Sequence, residues 1–312
     1  VGTVVSAHPI ATKIGMEVLR DGGNAVDAAV AVGFAMGVVD QFHSGIGGGG
    51  FIVIRMADGT IHTIDGRETA PAAATRDMYL RDGQFDPSLS QEGVLAVGVP
   101  GIVAAYEEAL DLVGTKALAE VIQPSIPAAR DGFKLDKPYA NVIQETAEKL
   151  KTDPASAAIY LHKDGSPLAA GEILRQPDLA ATYEKIAAGG ADYFYRGEFA
   201  EQLADYMKAN DGLITAADMT GYTVRHREPI VGNYRDYEVI GMAPPSSGGV
   251  HVLQILNMLE ASGVLEGKSG WDSESVYLTA RFMSQAFEDR SLHLGDGDFY
   301  NVPVDLLASQ AY

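Results

Sequence analysis

Between Ala25 and Val39 the chain runs through fifteen residues drawn from Ala, Val, Gly, Phe and Met, with a single charge at Asp27. A helix that is apolar all round has no face to offer water, so this segment must be buried between layers. Ahead of it, Ile14, Val18 and Leu19 recur at helical spacing, and Asp21-Gly22-Gly23 interrupts them as a stop signal. Asn24 is then placed to cap the second helix. Downstream, a glycine run from Gly45 to Gly50 leads into Phe51-Ile52-Val53-Ile54-Arg55-Met56, a buried-strand composition. Ala57-Asp58-Gly59 follows as a turn, and Thr60 to Asp65 as a second strand. Asp-Gly between two β-prone runs is a strong hairpin signal, so a buried helix feeds an antiparallel pair.

From about Pro100 to Tyr222 the pattern is mainly helical, with apolar faces such as Ile102, Ala105, Leu110 and Val113, broken by Pro124, Pro127, Pro138 and the turn Lys163-Asp164-Gly165. Strand signals return over Pro229 to Met242, with a turn expected at Asn233 to Asp236. A helix follows Gly248-Gly249, its apolar positions including Val252, Ile255, Leu256 and Leu259. A last helix is expected from Ser273 to about Arg290. No repeat, low-complexity tract or long Pro/Ser linker interrupts the 312 residues, so composition predicts one compact unit, a single domain over 1–312.

The 42 acidic and 23 basic residues leave a net charge of −19, which repels nucleic-acid phosphates and anionic membranes and argues against either as a partner. With no cysteine, the chain can form no disulfide, thiolate nucleophile or cysteine zinc site. No apolar run approaches the roughly 20 residues that span a bilayer, so no membrane span is expected.

Gly45-Ile46-Gly47-Gly48-Gly49-Gly50 matches G-x-G-x-x-G literally, with Asp65 at the distance of a ribose-binding acid. A dinucleotide site needs strand, glycines, then helix; here a helix precedes and a strand follows, so the match is set aside and no cofactor is expected. Two roles remain for the run: close approach of another chain segment, or lining a ligand. Arg67 follows the second strand, in Ile64-Asp65-Gly66-Arg67-Glu68-Thr69-Ala70-Pro71. Its planar fork suits a carboxylate held bidentately, and equally a local ion pair with Glu68 or another acid. Ser246 and Ser247, before Gly248-Gly249, depart from G-x-S-x-G, and none of the seven histidines, His8, His43, His62, His162, His226, His251 and His293, shares a motif with them. A helix cap and turn is their expected role. Asp296-Gly297-Asp298 lacks the rest of a calcium loop and reads as a turn, and no histidine pair has metal-ligand spacing, so no metal is expected.

Taken in order, several segments resemble the large, N-terminal subunit of the γ-glutamyltransferases. They are Asp21 to Val30 (DGGNAVDAAV), Gly47-Gly48-Gly49-Gly50-Phe51, Arg67-Glu68 with Ala70-Pro71, Gly98-Val99-Pro100-Gly101, Leu213-Ile214-Thr215, Ala243-Pro244-Pro245-Ser246-Ser247-Gly248-Gly249, and Asp289-Arg290 with Leu294-Gly295-Asp296. The resemblance implies an α+β N-terminal-nucleophile hydrolase fold, a four-layer α-β-β-α sandwich completed by a small subunit. It also implies a precursor that cuts itself, so that a new N-terminal threonine opens the small subunit and serves as base and nucleophile. The substrate the resemblance implies is a γ-glutamyl amide, as in glutathione. The implied substrate-binding residue in this chain is Arg67, which takes the α-carboxylate of the glutamyl group; no catalytic residue is expected here, the nucleophile lying beyond Tyr312. The resemblance points to a periplasmic or extracellular enzyme. Gly66 stands where many members carry a larger residue and is expected to widen the pocket.

Two other readings are carried alongside. A glutaryl acylase or a poly-γ-glutamate enzyme of the same superfamily would use the same arginine, since a glutaryl group also ends in a carboxylate. A non-catalytic γ-glutamyl-binding protein would bind without turnover.

Overall fold

The computed structural model describes residues 2–312. Composition alone predicts one compact unit; the contacts divide the chain into two. One is built from residues up to Gly50 together with Gly66–Val224, the other from Phe51–Asp65 and Arg225–Tyr312. No linker marks the division in the sequence, because it falls at the ends of strands.

In the first unit, helix α1 spans Pro9–Arg20 and helix α2 Ala25–Val39. Asn24 Oδ1 accepts from the Val26 and Asp27 amides at 2.8 and 3.0 Å, and Asp27 Oδ2 accepts from the Asn24 amide at 2.7 Å, a reciprocal cap. Asp27 is wholly buried, and Thr115 (amide 2.9 Å, hydroxyl 2.5 Å) and the Lys116 amide (3.0 Å) also donate to it. Burial pushes its carboxyl up, yet the hydrogen bonds from Thr115, Asn24 and Lys116 outweigh burial and hold it below its ordinary value. The lone charge of the apolar helix thus ties the start of α2 to the loop after helix α3 (Ile102–Val113).

Val30, Ala31, Phe34, Ala35, Val38 and Val39 of α2 are all buried, as an all-apolar helix requires. Its glycines make room for tyrosines: a Cβ on Gly33 would lie 2.2 Å from the Tyr106 hydroxyl, and one on Gly37 2.7 Å from that of Tyr183. Tyr183 donates to the Phe34 carbonyl at 3.0 Å, satisfying its buried hydroxyl. The middle of the chain is helical as expected, with Lys137–Leu150, Pro177–Tyr195 and Glu198–Ala209 the longer helices after α3.

In the second unit, β1 (Gly50–Arg55) and β2 (Ile61–Gly66) form the expected hairpin, with Gly59 at φ 92° in its turn. The short strand Arg225–His226 pairs antiparallel with β2, Ile64 opposite His226 and Asp65 opposite Arg225. β1 departs from its buried-strand composition: Phe51 and Val53 are exposed while Ile54 is buried. It is the edge of this three-stranded sheet, with one face uncovered among the described residues.

A second hairpin joins Ile230–Tyr234 to Tyr237–Gly241, tighter than the sequence suggests, because Tyr234 pairs with Tyr237 across two residues and Arg235 adopts φ 52°. The helix Gly248–Ser262 packs on it: Ile230, Val250, Leu253 and Leu307 form a core. This helix is rotated from the apolar face expected of it. Val252 is exposed, whereas His251, Gln254 and Asn257 are buried. Polar partners explain the rotation: Gln254 Nε2 donates to the buried Asp289 carboxylate at 2.5 Å, and Asn257 Nδ2 to the Ala308 carbonyl at 3.1 Å. The last long helix, Ser273–His293, is capped by Asp272 and runs one turn past its expected end.

Candidate functional site

β2 ends at Gly66, and Arg67 is the first residue after it, at the strand-end position where a sheet presents side chains to ligands. The Arg67 side chain is half exposed, and its Nε lies 4.0 Å from Glu68 Oε1, at the limit of an ion pair. A pair so long and so wet contributes little. The geometry therefore gives the local Glu68 pairing only a weak hold on the guanidinium.

The backbone of the same residue is held firmly. The Tyr222 hydroxyl donates to the Arg67 carbonyl at 2.8 Å. Thr69 and Val99 exchange amide-to-carbonyl bonds of 3.2 and 2.8 Å, bringing the segment Gly98–Gly101 alongside. The glycine run packs against this stretch: a Cβ on Gly49 would stand 2.4 Å from the Glu68 amide nitrogen and 2.7 Å from the Gly66 carbonyl. The Gly48 carbonyl accepts from the amides of Gly101 and Ile102 at 3.0 and 3.1 Å. Of the two roles open to the run, close backbone approach is thus realised at Gly49, while Gly47 has open space around its α-carbon.

Gly66 has a packing role in place of the pocket-widening one. Its missing side chain would point at α3, 2.4 Å from the Ala105 Cβ, so glycine here lets the strand end and helix meet.

Asp65 takes no part in a dinucleotide site. It accepts from Arg227, with Nε at 3.0 Å and Nη2 at 2.9 Å, and Arg227 also forks onto Asp298. The two carboxylates push the Arg227 guanidinium further up, hydrogen bonding by Asp298 ahead of Asp65, and Arg227 in turn lowers the Asp298 carboxyl. Asp298 is both this partner and part of the expected turn, its amide donating to Asp296 Oδ1 at 2.9 Å. Ser246 Oγ accepts from the Gly248 amide at 3.2 Å, and Ser247 caps the helix through its backbone position alone, so the cap falls to Ser246 rather than to both serines. Among the described residues, no group of three or more His, Asp or Glu side chains is arranged to hold a metal ion.

Residues 11–312 match the family described as Gamma-glutamyltranspeptidase. The chain belongs to the γ-glutamyltranspeptidase family. It is 43% identical, over its whole length, to the glutathione hydrolase proenzyme of Escherichia coli (strain K12), and covers 54% of that protein. It is 44% identical to the Acylase ACY 1 proenzyme of Pseudomonas sp. (strain V22), again over its whole length and covering 57% of that protein. The solved structure of Helicobacter pylori γ-glutamyltranspeptidase superimposes with a TM-score of 0.96 at 43% identity, covering 100% of this chain and 89% of that one. The chain spans about half the length of the curated relatives it matches. Its fold is the α+β N-terminal-nucleophile hydrolase fold implied by the resemblance.

Sequence reading singles out Arg67 as a candidate through the family's Arg-Glu element, and does not single out Tyr222, which holds its backbone, or the carboxylate clamp on Arg227. Tyr222 lies 155 residues from Arg67, and no local motif marks it. Asp65 and Arg227 are separated by 162 residues.

Proposed function

We propose that this chain is the large-subunit part of a γ-glutamyl hydrolase or transferase, and that Arg67 binds the α-carboxylate of the donor's glutamyl group. The observation that carries this reading is the presentation of Arg67. Its backbone is fixed by Tyr222 while its side chain stays half exposed, its ion pair with Glu68 stretched to 4.0 Å. A guanidinium on a rigid strand end can close bidentately on a carboxylate without first ordering its own backbone.

The two compact units together make up this large subunit, and its partner is a small subunit cut from the same precursor. The small subunit opens with a threonine whose amine acts as base and whose hydroxyl acts as nucleophile. The hydroxyl attacks the γ-carbonyl, the amine of the leaving group departs with a proton, and the acyl-enzyme passes to water or to an acceptor amine. Arg67 serves this chemistry by positioning, holding the far end of the glutamyl group so that the γ-carbonyl meets the nucleophile. The enzyme works in the periplasm or outside the cell. Among the described residues, no helix is long and apolar enough to cross a membrane.

The test uses the full-length precursor: intact mass and N-terminal sequencing, then release of p-nitroaniline from γ-glutamyl and glutaryl anilides. Cleavage that frees a fragment beginning with threonine, together with γ-glutamyl turnover, supports the reading. The 44% identity to Acylase ACY 1 favours one competitor, a glutaryl acylase, which would turn over the glutaryl anilide instead. An uncut chain that binds glutamate without turnover would point to a binding protein.

A further inference from the structure

Arg67 is the first residue after a strand, and two glycines pack closely on its neighbours. A Cβ on Gly49 would meet the Glu68 nitrogen at 2.4 Å. One on Gly101 would lie 2.3 Å from the Gly66 carbonyl and 1.9 Å from the Tyr222 hydroxyl. Gly101 thus leaves room for the hydroxyl by which Tyr222 reaches the Arg67 carbonyl at 2.8 Å.

The phenol itself stands on a rigid platform. Its ring, largely buried, stacks on Tyr195 with centroids 5.5 Å apart and planes 13° from parallel. Tyr195 in turn donates to the Pro100 carbonyl at 2.9 Å and accepts from the Ala104 amide at 3.2 Å. Two stacked tyrosines therefore join the segment that carries Gly101 to the segment that carries Arg67.

We infer that Tyr222 is a positioning residue for substrate recognition, its hydroxyl setting the direction in which Arg67 leaves the strand end. The inference rests on the reading of Arg67 as the carboxylate-binding residue. A carbonyl that loses this bond can rotate its peptide, and a small rotation at the backbone is amplified at the end of a long side chain, where bidentate geometry tolerates little error.

The test is a double-mutant cycle on the full-length, self-processed enzyme, read by KM and kcat for γ-glutamyl-p-nitroanilide. Tyr222→Phe is expected to raise KM about five- to tenfold and leave kcat within about twofold. In an Arg67→Ala background the same change is expected to leave KM unmoved, because no side chain remains to be aimed. Replacing Tyr222 by 4-aminophenylalanine, which keeps a donor at the ring's end, is expected to restore KM; 4-fluorophenylalanine, which fills the space without donating, is not. Should Tyr222→Phe fail to yield processed protein, this last pair decides the matter alone.

A Tyr222→Phe enzyme with unchanged KM overturns the inference, provided Arg67→Ala raises KM. An equal rise in KM with and without Arg67 overturns it too, since that marks a purely structural role. If Arg67→Ala itself leaves KM unchanged, the reading of Arg67 fails, and the inference falls with it.

Discussion

Arg227 meets Asp298 fork on fork, Nη1 to Oδ1 at 2.6 Å and Nη2 to Oδ2 at 3.0 Å, while its remaining edge holds the buried Asp65. Strand β2, the strand Arg225–His226 and the turn before Phe299 are thereby fastened through one guanidinium. Bidentate pairing of this kind needs a planar donor, which lysine is not.

Arg227→Met should therefore destabilise the protein by about 3 kcal/mol, mainly because the buried Asp65 loses the guanidinium that grips it at 2.9 and 3.0 Å. Arg227→Met with Asp65→Leu should recover much of that loss. Chemical denaturation of the three proteins checks this, and a single mutant within about 0.5 kcal/mol of the parent would show the clamp to be dispensable.

Asp27 supplies a pH dependence whose sign can be worked out. Although burial raises its carboxyl, the bonds from Thr115, Asn24 and Lys116 hold it below the ordinary value in the folded chain. The ionised form thus stabilises the fold. That contribution is fully present above the unfolded value of about 3.9 and is lost as pH falls through the lower folded value. Asp27→Asn should cost about 2 kcal/mol at pH 6, and the gap to the parent should narrow as pH drops below about 4. Thermal melts across this range would expose the error if the gap were constant.

The glycine run offers a paired comparison. Gly49→Ala drives a methyl into the Glu68 backbone and should cost about 2 kcal/mol and raise KM for a γ-glutamyl donor. Gly47→Ala meets open space and should stay within about 0.5 kcal/mol of the parent with KM unchanged. Equal effects at both positions would mean that the run acts as a flexible unit rather than through one close approach.

For Arg67, loss of the fork is expected to appear in binding before catalysis. Arg67→Ala should raise KM for γ-glutamyl-p-nitroanilide by about a hundredfold, and Arg67→Lys by less, since an ammonium keeps the charge and loses the second bond. Steady-state kinetics that show a fall in kcat with KM unmoved would place Arg67 outside the carboxylate site.

Local chemistry made much of this legible. The apolar composition of α2, the Asn24 cap and the Asp58-Gly59 turn each report a neighbourhood a few residues wide, and each is found where the sequence puts it. The failures share a cause. β1 has a buried strand's composition, but its exposure depends on its place at the sheet edge. The helix Gly248–Ser262 turns His251, Gln254 and Asn257 inward because partners for the last two lie 35 and 51 residues away. The same distance problem hides Tyr222. The role proposed for Arg67 rests on family resemblance, since an arginine at a strand end is equally at home beside a glutamate.

The pairing of β2 with Arg225–His226 also has a consequence in time. Asp65 and Arg225 face each other although they stand 160 positions apart in the chain. A ribosome adding roughly 5–20 residues per second leaves the early hairpin waiting roughly 8–30 s for its third strand. Throughout that interval the edge of β2 that Arg225–His226 later covers is open to pairing with other nascent chains, so this hairpin carries a hazard during synthesis that the finished fold does not show.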